Sequence, residues 1–345
     1  MGIIGRHSFE LCSRPRIISS ASYVGDKEGK GPLRECFDKI CRDDTLGLDS
    51  WEQAESRMFE SAVRVALAKI KRQSDDLSCL LGGDLLNQII SSGFAAREIR
   101  APFIGLYGAC STISEGLMLG GMLVDGGFAE LAACAASSHF SAAERQFRYP
   151  LEMGVLAVTS SQRTVTGAGS IIIQAAGEFR PGAGNVFEHV ALTGGTIGSV
   201  EDFGITDANN MGAAMAPAAF KTIKTHLSDY SRRVEDYDRI ITGDLGIFGS
   251  DMLYELLRGE GIEIADRHED CGKLMFSPEQ NVNCGASGCG CAATVMSSWF
   301  LPKIESGEIR RVLFLATGAL MSPVSSLQGE SIPSIAHAVV IEHID

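Results

Sequence analysis

Positive charge is what this sequence has least of: 30 lysines and arginines stand against 43 aspartates and glutamates, a formal net charge of −13. Nucleic acids and anionic lipid surfaces are gripped by basic surface that releases counterions, so neither is expected as a general partner. An anionic ligand would need a local basic site. Long apolar runs are also missing, since no stretch approaches the roughly 18 residues of a membrane span. The start, MGIIGRHSFELCSRPR, lacks an apolar core followed by a small-residue cleavage site, so the chain is expected to be soluble and made in the cytoplasm. There is no tight cysteine framework either. Ten cysteines are scattered over the length, which at this size reads as reduced, mostly buried thiols. No segment is of low complexity, which leaves no candidate for a disordered tail.

What is present is a large apolar fraction, 45%, and 39 glycines against 10 prolines. Such a chain buries a sizeable core and favours tight turns and close helix-to-sheet packing. ESRMFESAVRVALAKIK at 55–71 spaces Phe59, Val63, Ala66 and Ile70 at helical intervals, and LSCLLGGDL at 77–85 then reads as a short buried strand. The same order returns in AAMAPAAFKTIKTHL at 213–227 and YDRIITGDLG at 237–246. Asp76, Gly83, Asp84 and Leu85 fall on Asp236, Gly243, Asp244 and Leu245 at a constant offset. A second pair follows: YGACSTISEGLMLGGMLVDGGFAELAACAASSH at 107–139 and SGCGCAATVMSSWFLPKIESGEIRRVLFLATGAL at 287–320 both read as glycine turn, apolar helix, glycine, strand. Each half closes on an apolar strand, SIIIQAA at 170–176 and AVVIEHI at 338–344. Strands alternating with helices in a duplicated unit imply a mostly parallel sheet per half, covered on both faces, with the two post-glycine helices packed centrally. Two separate α/β domains sharing a common pattern are the alternative.

Several residues are placed for chemistry. Cys110, in GACS, opens the helix after the strand FIGLYG, where the positive end of the helix dipole favours a thiolate, although a small residue packed at a crowded turn reads the same way. The strand at 131–138 delivers Ser137, Ser138 and His139 to a carboxyl end, where open parallel sheets bind ligands, with Arg145 and Arg148 on the following loop. A guanidinium fork matches a carboxylate, and a dimer-contact loop is the competing account of these arginines. His337, in IPSIAHAVV, is by itself more in keeping with a structural role. Cys271, Cys284, Cys289 and Cys291 lack the paired knuckle spacing of a zinc site, and no stretch completes a dinucleotide fingerprint or phosphate loop. No metal or cofactor is expected.

A duplicated half with the GACS cysteine at a central helix start resembles the thiolase-like fold of thiolases and β-ketoacyl-carrier-protein synthases. NVNCGASGCG at 281–290 is similar to the thiolase N-V-N-G-G segment, and SIAHAVVIE at 334–342 takes the place of that family's glycine-rich closing loop. More closely, GPLRECFD, GDLLNQ, GACSTISE, SSHFSAAERQFRYP, TVTGAGS, GITDANNMGAAMAPAA, TGDLG, TGALMSP and ESIPSIAHAVV together are similar to the stage V sporulation protein AD family. This resemblance implies a five-layer α/β/α/β/α fold with two mixed, mostly parallel sheets, divided into halves 1–180 and 181–345. It also implies binding of dipicolinic acid, pyridine-2,6-dicarboxylate, for uptake into the developing spore. The other proteins of the stage V sporulation A operon at the spore inner membrane are the implied partners, and a homodimer through an edge strand of the first half is plausible by analogy.

The active relatives carry His or Asn at two turns of the second half. Here those turns read Thr242, Gly243, Asp244 and Ser287, Gly288, Cys289, without an imidazole. A base and paired oxyanion donors each contribute on the order of 10²-fold or more in rate, so a non-catalytic binding protein is expected. Backbone N–H groups at Cys110, Ser111 and Thr112 are expected at one ligand carboxylate. Arg145, Arg148, His139 and His337 are expected at the other, with Ser137, Ser138 and Ser287 as neutral donors. The ligand is dipicolinate or its calcium chelate. The competing readings are an acyl-transferring or condensing enzyme with Cys110 as nucleophile and His337 as base, and a structural scaffold with a vestigial pocket.

Overall fold

The computed structural model describes residues 2–147 and 158–345. The first half runs β1 (Arg16–Val24), α1 (Trp51–Lys69), β2 (Cys79–Gly83), α2 (Ile90–Ile99), β3 (Phe103–Gly105), α3 (Thr112–Asp125), β4 (Leu131–Ser138), α4 (Phe140–Phe147) and β5 (Gly167–Gln174). The second runs β6 (Val190–Thr196), α5 (Met211–Asp229), β7 (Arg239–Thr242), α6 (Gly246–Arg258), β8 (His268–Asp270), α7 (Cys289–Val295), β9 (Arg311–Ala319) and β10 (Ser334–His343). Local chemistry sets the same boundaries in both halves. The Ser50 side chain caps α1 by accepting from the Gln53 N–H, and Asn210 caps α5 by accepting from the Ala213 N–H. Both helices are 19 residues long.

The strand order is β1-β5-β4-β2-β3 in the first half and β6-β10-β9-β7-β8 in the second. In each, β2, β3 and β4, or β7, β8 and β9, are parallel, and one strand, β5 or β10, runs against its neighbours. The two arrays meet edge to edge where Ala191 of β6 pairs with Arg16 of β1, which makes them one continuous sheet. Helices α1 and α2 cover one outer face and α5 and α6 the other, each over its own apolar cluster. Between the arrays lie α3 and α7, inside a third cluster that draws residues from Phe9 to Ile341. The result is the five-layer arrangement that the duplicated pattern implied, with the starts of α3 and α7 brought together at its centre.

Candidate functional site

The turn into α3 is built from its own hydroxyls. Ala109 sits at φ +49. The Ser111 Oγ donates to the Gly108 carbonyl at 2.6 Å, and the Ser111 N–H donates to the same oxygen at 3.0 Å. Thr112 Oγ1 donates to the Ala109 carbonyl at 2.7 Å and accepts from the Gly108 N–H. The Thr112 N–H also turns back to Ala109, at 3.3 Å. The N–H groups of Ser111 and Thr112, which the sequence offers to a ligand, are therefore spent in holding the turn. What they hold in place is Cys110, only 5% exposed.

Electrostatics at Cys110 runs against a thiolate. Burial pushes its thiol well above the ordinary value, with the nearby Asp244 and Cys289 adding to the shift and the Gly288 N–H opposing it. The Asp244 carboxylate beside it favours the protonated thiol. Asp244 stands at the end of β7, fully buried, and accepts from the Gly288 N–H at 2.9 Å and from Thr317 Oγ1 at 3.0 Å. Its own pKa is raised to about 7, first by burial and then by Asp270, while those donors pull it down. Sequence reasoning missed this residue by looking for an imidazole at that turn. The signal was there, because Asp84 and Asp244 fall at equivalent places in the repeat.

The duplication also produces a counterpart. Cys289, opening α7, donates its thiol to the Ala109 carbonyl at 2.9 Å, and burial together with Asp84 raises its pKa. Close by, Glu55 is fully buried beside Asp84 and accepts from Ser137 Oγ at 3.0 Å, its second oxygen having no partner among the described residues. Cys284 accepts from the Phe248 N–H, and Cys291 lies 3.6 Å from the Gly243 carbonyl. Among the described residues no group of His, Cys, Asp or Glu is arranged to hold a metal ion.

A cavity of about 40 Å³ opens beside Cys110. Its walls are mostly apolar, from Leu85, Tyr107, Ala143, Phe147, Met211 and Met321, with Thr164, Glu144 and Ser287 as polar members. Ser287 is 1% exposed and its Oγ has no hydrogen-bond partner among the described residues. A buried hydroxyl left unpaired is unfavourable unless water or a ligand reaches it, and the volume is that of about three waters.

The other nominated side chains are engaged elsewhere. Ser138 Oγ donates to the Val165 carbonyl at 2.6 Å and accepts from the Gly290 N–H. The His139 Nε2 lies 2.8 Å from the Asp44 carbonyl, and burial lowers its pKa. Arg145 pairs with Glu52 and stacks over Trp51. Arg148 lies outside the described residues. His337 Nδ1 accepts from the Gly198 N–H at 3.2 Å, and burial pushes its pKa down to about 4; no hydrogen bond joins it to Cys110 or Asp244.

Two like halves around a pair of central helices, one opened by a buried cysteine, define a protein of the thiolase-like fold. Solved structures agree. The chain superposes with a TM-score of 0.60 on OleA from Xanthomonas campestris solved with bound cerulenin, covering 99% of this chain and 98% of that one at 13% identity. On 3-oxoacyl-(acyl carrier protein) synthase III from Pseudomonas aeruginosa PAO1 the score is 0.55, over 96% and 99% of the two chains at 11% identity. More particularly, the model of the stage V sporulation protein AD (SpoVAD) family matches residues 5–342. The chain is also 43% identical to stage V sporulation protein AD of Bacillus subtilis (strain 168), over 99% of this chain and 98% of that protein. The chain belongs to the SpoVAD family of sporulation proteins.

Proposed function

We propose that this protein binds dipicolinic acid, free or as its calcium chelate, in the cavity beside Cys110, as a non-catalytic step in loading the developing spore. The observation that carries this reading is the unpaired Ser287 hydroxyl, buried on a slot whose neighbouring cysteine is held as a thiol. The chemistry of these walls matches a flat aromatic diacid, with aromatic and thioether groups for its ring and hydroxyls for its edges. The walls must part to admit it, since the cavity as it stands has the volume of about three waters. A protonated Cys110 facing a carboxylate, with no imidazole bonded to either, is a poor nucleophile, which speaks for binding rather than acyl transfer. Among the described residues no helix is long and apolar enough to cross a membrane. Action at the spore inner membrane is accordingly assigned to partners, the other proteins of the same operon, and a homodimer would form through the edge strand β3.

Calorimetric titration of the purified chain with dipicolinate, with and without calcium, tests the reading. Saturable heat is expected, weakened about tenfold or more in a Cys110→Ala, Ser287→Ala double variant, a loss equivalent to roughly one or two hydrogen bonds. No heat in either condition would sink it. A stable acyl adduct on Cys110 after incubation with acyl-coenzyme A, read by intact mass, would favour a condensing enzyme instead.

A further inference from the structure

The group that ties the two walls of the cavity together is not one that lines it. Asp244 stands beside the Cys110 thiol, whose pKa it raises, and it reaches Ser287 through the N–H of the next residue, Gly288, at 2.9 Å. Thr317 Oγ1 fixes the other carboxylate oxygen at 3.0 Å. The backbone is pinned as well: Gln162 Nε2 donates to the Asp244 carbonyl at 2.6 Å and to the Ala286 carbonyl at 2.9 Å. Anything that touches both Cys110 and Ser287 must therefore sit within a residue of a buried carboxyl.

The described groups that face that carboxyl are acids and thiols, and Arg163, the cation beside Thr164 of the cavity wall, already has Glu28 and Glu144 as its neighbours. Asp270 faces the carboxyl from the end of β8 with Cys271 just after, Cys110 from the start of α3, and Cys289 and Cys291 from α7. Each of these is neutral or negative. Glu144 adds a further acid to the cavity wall. We propose that Asp244 is a positioning residue that couples ligand capture at Cys110 and Ser287 to the uptake of one proton, so that the cavity favours carboxylate ligands whose charge arrives neutralised by a proton or a bound cation over bare dianions.

The coupling rests on the binding reading above and follows from elementary electrostatics. A ligand carboxylate brought close to a buried acid in a medium of low dielectric favours that acid's neutral form. Asp244 already stands at about 7, so near neutral pH the proton is gained at little expense. Once protonated, the carboxyl keeps its acceptor bonds to Gly288 and Thr317 and gains a donor that turns toward the sulfur of Cys110. A calcium chelate brings its own compensation and needs no proton.

The test is calorimetry of the full chain with disodium dipicolinate, in pairs of buffers differing in ionisation enthalpy, at about pH 6, 7 and 8, repeated with calcium present. Without calcium, uptake approaching one proton per ligand is expected above pH 7, with affinity falling by up to tenfold per pH unit. Asp244→Asn should bind with no linked proton and with affinity flat from about pH 7 to 8, and calcium should abolish the linkage in the unmodified protein. Binding by the unmodified protein without proton uptake, or an unchanged pH slope in Asp244→Asn, overturns the inference and leaves the binding reading standing. No binding at any pH overturns both. If Asp244→Asn does not fold, the infrared difference spectrum of the unmodified protein on adding ligand decides: a gain in protonated carboxyl absorption supports the coupling, and no gain overturns it.

Discussion

At Cys110 two effects oppose each other. The helix start offers N–H groups and a positive dipole end, which by themselves lower a thiol pKa. Burial and a carboxylate neighbour raise it, and here they win, because the N–H groups of Ser111 and Thr112 are turned back onto Gly108 and Ala109. The expected consequence is slow alkylation. In the native protein iodoacetamide should modify the exposed Cys12 first, with Cys110 modified far more slowly because its thiol stays protonated. Peptide mass mapping over time would show this, and early labelling of Cys110 in native protein would contradict the protonated state. The sequence made Cys110 and its helix start legible because glycine, small residues and an apolar helix follow in order. It did not make the partner legible. Asp244 reads as half of a Gly-Asp turn, and only the meeting of two distant strand ends turns it into the neighbour of a thiol. Arg145 was misleading for the same reason: spacing puts it on a loop near a sheet edge, and a nearby Glu52, invisible in local sequence, pairs with it.

At the scale of elements, the site depends on how closely β9 approaches the turn before α3. Gly318 makes that approach possible: a Cβ there would lie 2.1 Å from the Gly108 carbonyl and 3.2 Å from the Ser111 N. Both contacts are with backbone, so nothing can swing aside. Gly318→Ala is expected to destabilise the protein by about 1–3 kcal/mol and to displace the Cys110 turn, weakening dipicolinate binding together with thermal stability. Gly177→Ala, where a Cβ meets nothing within 4 Å, should stay within about 0.5 kcal/mol of the unmodified protein. Thermal unfolding and titration of the two variants check the pair, and equal behaviour would remove the close-approach argument. Periodicity placed β4 and the closing strands within a few residues of where they lie, and it placed α1 and α5 likewise. The central helix of the second half was harder to read. After α7 the chain passes through a π-helical stretch, Met296–Phe300, before helix resumes at Leu301–Glu305. The local sign of such a change of pitch is Pro302, which has no N–H to donate and crowds the carbonyl four residues back at Ser298.

For the whole molecule, the duplicated sequence invites the view of two domains, yet the packing ties the halves into one folding unit. The central cluster takes Leu81, Leu117 and Ile171 from the first half and Ala292, Phe314 and Val339 from the second. The strand Ser8–Glu10, near the start of the chain, pairs with β6 of the second half, and β6 in turn meets β1. Neither α3 nor α7 could bury its apolar surface against its own array alone, since each lies between the two arrays. Such sharing predicts a single cooperative transition rather than two. The chain provides its own reporters, because its two tryptophans are divided between the halves: Trp51 at the start of α1 and Trp299 in the π-helical stretch after α7. Trp51→Phe and Trp299→Phe variants, each followed by fluorescence through urea unfolding, should give the same midpoint and slope once the small stability change of each substitution is referenced to circular dichroism on the same sample. Midpoints separated by more than that reference would show the halves unfolding independently. The cavity would then lie at a domain interface able to open, rather than inside a single core.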